Sequence, residues 1–282
     1  MITIKTPAKV NWSLSVLKKR SDGYHDIISL VQAIDLFDTL SCDESDDIEI
    51  ICDAPIKIEN NLVNKAIKAL QDYTGIRKGV KIILKKEIPL EAGLAGGSSN
   101  ASATLKALTE LWKLNLSFQE LQKIGTSLGS DVSFFFHLPI CIVEGKGEII
   151  KPLSIHKSYS LLLVKPAFGI STKWAYQSLD IKTQLTEDYE KINNNIYQLY
   201  ELLFKGVSDK IYLWNDLEKP VIKRYPEIEN LKKKLLDAGA RATLMSGSGS
   251  TVFGLFKSKE DALVASEKFN GYWFKVVQTL VS

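Results

Sequence analysis

Pro89-Leu90-Glu91-Ala92-Gly93-Leu94-Ala95-Gly96-Gly97-Ser98-Ser99-Asn100-Ala101 sets a glycine-rich turn directly against the start of a helix. Glycine lets a backbone approach a charged group closely, and the unpaired N–H groups of a first helical turn, at the positive end of the helix dipole, stabilise phosphate oxygens. The helix itself is legible: Ala101, Leu105, Leu108 and Trp112 recur at steps of four, three and four, one apolar face of a 3.6-residue period. A lone glycine pair would read as a tight turn with Ser98 or Ser99 as a cap. Three glycines in five positions followed by two serines exceed what a cap requires. The spacing matches neither G-x-x-x-x-G-K-[ST] nor G-x-G-x-x-G, so the two common nucleotide turns are set aside and a phosphate-binding helix entrance of another kind is expected.

Working outward, Val80 to Leu84 reads as a strand leading into the turn, Leu62 to Leu70 as a helix and Ile48 to Ile51 as a strand. From Ile2 to Val16 the apolar residues Ala8, Val10, Trp12, Leu14 and Val16 alternate with Lys9, Asn11, Ser13 and Ser15, the pattern of a half-buried strand. Ser21-Asp22-Gly23 is a turn signal, and the apolar stretch from Ile27 to Ser41 returns as a strand, so a hairpin opens the chain. Downstream, Phe118 to Leu128 reads as a second helix, and Gly129-Ser130-Asp131 interrupts before Phe134. The pattern is mixed α+β.

Near Pro152 to Lys157 the sequence turns polar before the apolar strand Leu161 to Val164. The expected domains are 1–155 and 156–282. The second holds helices around Thr172 to Leu179, Tyr189 to Phe204 and Ile228 to Gly239, then a strand Thr251 to Phe256. A second small-residue loop, Ser246-Gly247-Ser248-Gly249-Ser250-Thr251, precedes that strand. Alone it reads equally well as a flexible hairpin loop. Two such loops in one chain suggest two phosphate-bearing ligands, or one long ligand gripped at both ends.

Bulk properties bound the class. The chain has 282 residues, 45% hydrophobic and 24% charged, with a net charge of +3. It can bury a large core, and it lacks the basic stripe expected of a nucleic-acid binder. Cys42, Cys52 and Cys141 are odd in number and lack C-x-x-C spacing, which suggests neither a disulfide framework nor a metal site. No basic-then-apolar leader opens the sequence, and its longest apolar stretch, Val132 to Val143, is broken by His137 and Pro139. A cytoplasmic protein with no membrane partner is expected.

Lys9 and Asn11 share one strand face because side chains two apart point the same way. On spacing alone a lone strand lysine is most often solvated, and Asp131 reads as the cap of a short helix. The pattern by itself promotes neither residue.

Seven motifs occur together and in order: Pro7-Ala8-Lys9-Val10-Asn11, Asp22-Gly23-Tyr24-His25, Asn61-Leu62-Val63, the stretch Pro89 to Ala101, Leu128-Gly129-Ser130-Asp131-Val132, Asn215-Asp216-Leu217-Glu218 and Ser246-Gly247-Ser248-Gly249. In these the chain resembles, over nearly its whole length, the kinases named for galactokinase, homoserine kinase, mevalonate kinase and phosphomevalonate kinase (GHMP kinases). The N-terminal and Asp-Gly-Tyr-His motifs resemble the branch that acts on a cytidine diphosphate conjugate of methylerythritol. The resemblance implies a two-domain architecture, a ribosomal protein S5 domain 2-like N-terminal domain plus a ferredoxin-like C-terminal domain, with the active site in the cleft between them. It implies transfer of the γ-phosphate of ATP, accompanied by Mg2+, to the 2-hydroxyl of the methylerythritol moiety in isoprenoid precursor synthesis. A monomer or homodimer without nucleic-acid partners is expected.

Residue by residue, the resemblance makes Asp131 the catalytic aspartate and Lys9 the catalytic lysine. The aspartate would orient the attacking hydroxyl and accept its proton, and the lysine would keep it ionised and counter developing charge. Pro89, Leu90, Glu91, Ala92, Gly93, Leu94, Ala95, Gly96, Gly97, Ser98 and Ser99 match the ATP loop, with Ser99 a candidate magnesium contact. Asn61 and Lys86 match positions near the nucleotide base. Tyr24 and Tyr176 would sandwich the cytosine while His25 reads its edge. Asn11, Gly247 and Ser248 complete the substrate set. Relatives usually have proline where this chain has Ser133, and often where it has Ser250, which predicts looser loops at both places.

Overall fold

The computed structural model describes residues 1–57, 59, 61–179, 186–206 and 211–282, with the side chains of 186–188 set aside. The chain divides into two compact units: 1–8, 36–89 and 95–137 form the first, and 9–35, 90–94 and 138–282 the second.

Strands β1 (Ile2–Lys19) and β2 (His25–Ser45) each contribute residues to both units. The rest of the first unit is β3 (Ile48–Cys52), α1 (Leu62–Thr74), β4 (Gly79–Lys85), α2 (Gly96–Leu111), α3 (Phe118–Leu128) and a 3-10 helix, Ser130–Phe136. Its sheet runs β3-β4-β2, with β3 parallel to β4 and β4 antiparallel to β2. The face of α2 read from the sequence is the buried one: Ala101, Leu105, Leu108 and Trp112 pack with Leu40, Val80, Ile82 and Leu84 of the sheet and Val63, Ile67 and Leu70 of α1. Each such leucine or isoleucine contributes roughly 1.5–3 kcal/mol. Local chemistry sets the helix ends. The carboxamide of Asn61 accepts the Val63 N–H at 3.0 Å to start α1, and Ser117 with Glu120 forms a reciprocal capping box for α3.

The second unit adds β5 (Ile140–Gly145), β6 (Ile149–Leu153), β7 (Ser160–Lys165), α4 (Thr172–Gln177), α5 (Thr186–Phe204), β8 (Trp214–Asn215), α6 (Glu218–Arg224), α7 (Glu227–Asp237), β9 (Ala242–Met245), β10 (Val252–Phe256), α8 (Lys259–Ser266) and β11 (Trp273–Gln278). Four of these strands form a sheet in the order β11-β7-β10-β9, each adjacent pair antiparallel. Helices separate the first strand from the second and the third from the fourth, which is the ferredoxin-like arrangement. The hairpin read at the start of the chain is present: β1 and β2 are neighbours, and the turn closes with the Tyr24 carbonyl accepting the Arg20 N–H at 2.8 Å. Beside β1, β8 pairs in parallel through Ser13 with Trp214 and Leu14 with Asn215.

One strand expectation is corrected. From Thr6 to Val16, β1 is buried on both faces, with Lys9 3%, Asn11 4% and Ser13 0% exposed. The apolar row is core: Trp12 meets the edges of Tyr159 and Phe253 at 5.6 and 5.8 Å. The polar row is covered too, because hydrogen bonds satisfy its members and so remove the cost of burying them.

Candidate active site

The two glycine loops meet. The Ser246 hydroxyl donates to the Gly93 carbonyl at 3.0 Å, and the Thr251 N–H donates to the Ala92 carbonyl at 3.2 Å. The contact needs glycine at 93: its φ is +73° and a Cβ there would lie 2.0 Å from the Ser246 carbonyl oxygen. Both loops also touch β1. The Lys9 N–H donates to the Leu94 carbonyl at 3.1 Å, and a Cβ on Gly247 would lie 3.1 Å from the Lys9 ammonium.

Lys9 is therefore no solvated edge lysine. Its ammonium donates to the Asn11 carboxamide oxygen at 2.5 Å, and the Asn11 amide donates to the Ser29 hydroxyl at 2.8 Å. Ser29 in turn donates to the Ser13 carbonyl at 2.5 Å. A cation on a strand, oriented by an amide and a hydroxyl relay, is suited to meeting a phosphate or a developing negative charge.

Asn215, which the sequence placed in a motif without giving it a role, holds the second loop in place. It is 5% exposed, and its amide donates to the carbonyls of Met245 and Gly247 at 2.8 and 2.7 Å while its oxygen accepts the Leu217 N–H at 3.0 Å. Glu218, three residues on, accepts the Met245 N–H at 2.8 Å and pairs with Lys232 at 2.5 Å. The motif Asn215-Asp216-Leu217-Glu218 is thus the brace of the second loop.

The first loop takes left-handed backbone at every second residue, with φ of +49° at Glu91, +73° at Gly93 and +55° at Ala95. Left-handed non-glycine residues are costly and concentrate at functional sites. Ala95 leads into α2, whose entrance carries no side-chain cap. The reading in which Ser98 or Ser99 caps this helix is excluded, and no side chain takes up the N–H groups of its first turn, the kind of donors that suit an anion. Lys86 and Asn61 flank this region in the first unit. The Lys86 ammonium is bound by Asp38 and, at 2.9 Å, by the Asn100 carboxamide.

Asp131 is exposed in the first turn of the 3-10 helix Ser130–Phe136. The helix is fixed from behind: the Lys106 ammonium donates to the Phe135 carbonyl at 2.9 Å, and Ser133 shares a 2.7 Å hydroxyl contact with Thr126. Ser250, fully buried, donates to the Phe168 carbonyl at 2.6 Å. Each serine makes a hydrogen bond that proline cannot, which offsets the ring constraint it lacks.

At the other end of the substrate set, His25 and Tyr176 stack with ring centres 5.4 Å apart and planes 26° from parallel. Tyr24 is 55% exposed, with the Lys146 ammonium 5.0 Å from its ring centre. The structure therefore brings His25 to Tyr176 and leaves Tyr24 under a cation. Burial holds the His25 imidazole below its ordinary pKa, with Lys19 adding to the effect. Ser248 and Thr172 share a 2.9 Å hydroxyl contact. Among the described residues no group of three or more His, Cys, Asp or Glu gathers to hold a metal ion, and no helix is long and apolar enough to cross a membrane.

The uncapped helix entrance, the strained loop and the ferredoxin-like sheet define a GHMP kinase. The pattern of the GHMP kinases N terminal domain matches residues 61–137, and that of the GHMP kinases C terminal domain matches residues 182–275. A 4-diphosphocytidyl-2-C-methyl-D-erythritol kinase of Thermodesulfovibrio yellowstonii is 66% identical over 281 residues, covering 100% of this chain and 99% of its own. One from Geobacter metallireducens is 39% identical over 292 residues, covering 99% of each. A crystal structure of 4-(cytidine 5'-diphospho)-2C-methyl-D-erythritol kinase superposes with a TM-score of 0.83 at 30% identity over the whole of both chains. The chain belongs to the 4-diphosphocytidyl-2-C-methyl-D-erythritol kinase family.

Proposed function

We propose that the protein transfers the γ-phosphate of ATP to the 2-hydroxyl of 4-diphosphocytidyl-2-C-methyl-D-erythritol, giving the 2-phosphate and ADP, in the non-mevalonate route to isoprenoid precursors. The observation that carries this reading is the junction of the two glycine loops over Lys9, from the Ser246 hydroxyl to the Gly93 carbonyl. Residues Pro89 to Ser99 hold the nucleotide phosphates through main-chain N–H groups, and Asn61 and Lys86 border its base. Mg2+ would be held by the nucleotide's phosphate oxygens, the hard ligands it prefers, with Ser99 the residue that would add a hydroxyl ligand, and would neutralise phosphate charge there.

Asp131 orients the acceptor hydroxyl and takes its proton as the phosphoryl group arrives; Lys9 offsets charge building on the transferred oxygens. Asn11 keeps the ammonium aimed. Gly247 and Ser248 meet the substrate's diphosphate, and cytosine is taken between Tyr24 and Tyr176 with His25 at its edge. In the structure the His25 ring lies against the Tyr176 ring, so on this reading cytosine takes the place of the imidazole on that face and the imidazole moves to the base edge. We further propose 1–155 and 156–282 as the ATP-binding and C-terminal domains of a cytoplasmic monomer or homodimer.

The test is ADP release from purified protein given ATP, Mg2+ and the cytidylated alcohol as sole acceptor, with the product read by phosphorus NMR. The expected result is a new phosphomonoester at the 2-position, with no turnover of mevalonate or homoserine. Equal turnover of mevalonate, or none of the cytidylated alcohol, would reject it.

A further inference from the structure

A single buried carboxylate grips the chain on both sides of the phosphate loop. Asp38, on β2, has no exposed surface. Its Oδ1 accepts the main-chain N–H groups of Glu87 and Ile88, each at 2.8 Å. These are the last two residues before Pro89. Its Oδ2 accepts the Asn100 amide at 3.0 Å, on the first residue past Ser99. The same oxygen takes the Lys86 ammonium, which also donates to the Asn100 carboxamide oxygen at 2.9 Å. Asn100 donates in turn to the Thr6 hydroxyl at 2.7 Å. The cluster is dry: the side chains of Lys86 and Asp38 are 6% and 0% exposed, and Asn100 and Thr6 are 2% and 1% exposed.

Stability gives a poor reason for this cluster. Replacing a buried ion pair with apolar groups of similar volume is often neutral or stabilising. What a carboxylate supplies that apolar groups do not is direction, and here all its directions converge on the two ends of one loop. The loop between those ends is strained at Glu91 and Ala95, and strained backbone persists only where its surroundings over-determine it. The Lys86 ammonium stands close by, 3.2 Å from where a Cβ on Gly96 would lie.

We propose that Asp38 is a positioning residue for ATP: by tying Glu87 and Ile88 on one side and Asn100 on the other, it sets the span of the phosphate loop and hence the aim of its N–H groups. This rests on the reading of Pro89 to Ser99 as the ATP loop. Asp38 touches no substrate; it acts through Asn100 and the main chain. Preorganised donors bind an anion without the cost of ordering them at the moment of binding.

The test is Asp38→Asn, which keeps the shape and turns one oxygen into a donor facing other donors. The expected result is a rise of about tenfold or more in the KM for ATP, with the KM for the cytidylated alcohol within about twofold of wild type. Amide hydrogen exchange over residues 86–100 should speed up selectively. A merely structural role would lower the unfolding midpoint without separating the two KM values. Should Asp38→Asn fail to fold, Asn100→Ala decides: it leaves the Lys86–Asp38 pair intact and cuts only the downstream grip, and the same selective rise for ATP is expected. A folded variant with an unchanged KM for ATP, or with both KM values raised alike, overturns the proposal. Wild-type protein that shows no ATP binding by calorimetry overturns instead the reading of the loop.

Discussion

Ser246 and Gly93, 153 positions apart in the chain, are joined by a hydroxyl-to-carbonyl hydrogen bond of 3.0 Å, and the approach that bond reports decides what Gly93 tolerates. Gly93 combines a φ of +73° with a Cβ position 2.0 Å from the Ser246 carbonyl oxygen. Gly97, four residues on, would place its Cβ 3.4 Å from a leucine methyl, an ordinary contact. Gly93→Ala should therefore cost about 2–4 kcal/mol in urea unfolding, while Gly97→Ala, inside a helix, should change stability by less than about 1 kcal/mol. Equal costs at the two positions would show that the loops are not packed as described.

Asn215 carries two carbonyls that have no water to turn to. Asn215→Ala leaves the Met245 and Gly247 oxygens without the donors they meet at 2.8 and 2.7 Å, a loss of about 1–3 kcal/mol for each buried group. Asn215→Asp should be worse than Ala at pH 7, because it aims oxygen at oxygen. The check is the ranking of unfolding midpoints, wild type above Ala above Asp, with kcat/KM following the same order. Asp ranking above Ala would rule out the brace.

The α2 entrance was legible because local spacing encodes it: the face Ala101, Leu105, Leu108 and Trp112 is the buried face. Helix α3 spans Phe118–Leu128, the limits its caps and apolar period predict. Both signals sit within a few residues. The two-sided burial of β1 was not legible, since alternation reports which side chains are polar and not whether hydrogen bonds await them. Asp38 and the bracing role of Asn215 were missed for the same reason: their partners lie about 50 or more and about 30 residues away. Strand β8 is two residues long, too short for any period to register, and β11 mixes exposed and half-buried positions that blur its alternation.

Asp131 is exposed and sits in the first turn of its short helix, so catalysis and stability separate there. Asp131→Asn should lower kcat by about 100-fold to 10,000-fold, as for loss of a general base, and change stability by no more than about 0.5 kcal/mol. ATP binding by calorimetry should be retained. Near-normal turnover would remove the base role.

Tyr24 offers a related separation for substrate binding. With 55% of its surface exposed, its ring contributes little to the core. Tyr24→Ala should raise the KM for the cytidylated alcohol by about tenfold, since stacking holds substrate and transition state alike, and leave kcat within about twofold. The measurement is steady-state kinetics at saturating ATP. A fall in kcat at constant KM would place Tyr24 outside the base site.

His25 makes pH a probe of the same region. Burial, reinforced by Lys19, lowers its pKa in the folded protein below the ordinary 6.5. The unfolded chain therefore binds the proton more readily, and stability rises with pH wherever the unfolded state holds more protons. The contribution of the neutral ring is complete above the ordinary value, is lost as pH falls from there toward the depressed folded value, and changes no further below it. His137, lowered by burial and by Lys106, adds a slope of the same sign. His25→Gln should remove only the first part, so urea unfolding across pH 5 to 8 should give a shallower acid limb than wild type while a residual slope persists. An unchanged acid limb would mean that His25 titrates as it would in water and does not stack in the half-buried place beside Tyr176.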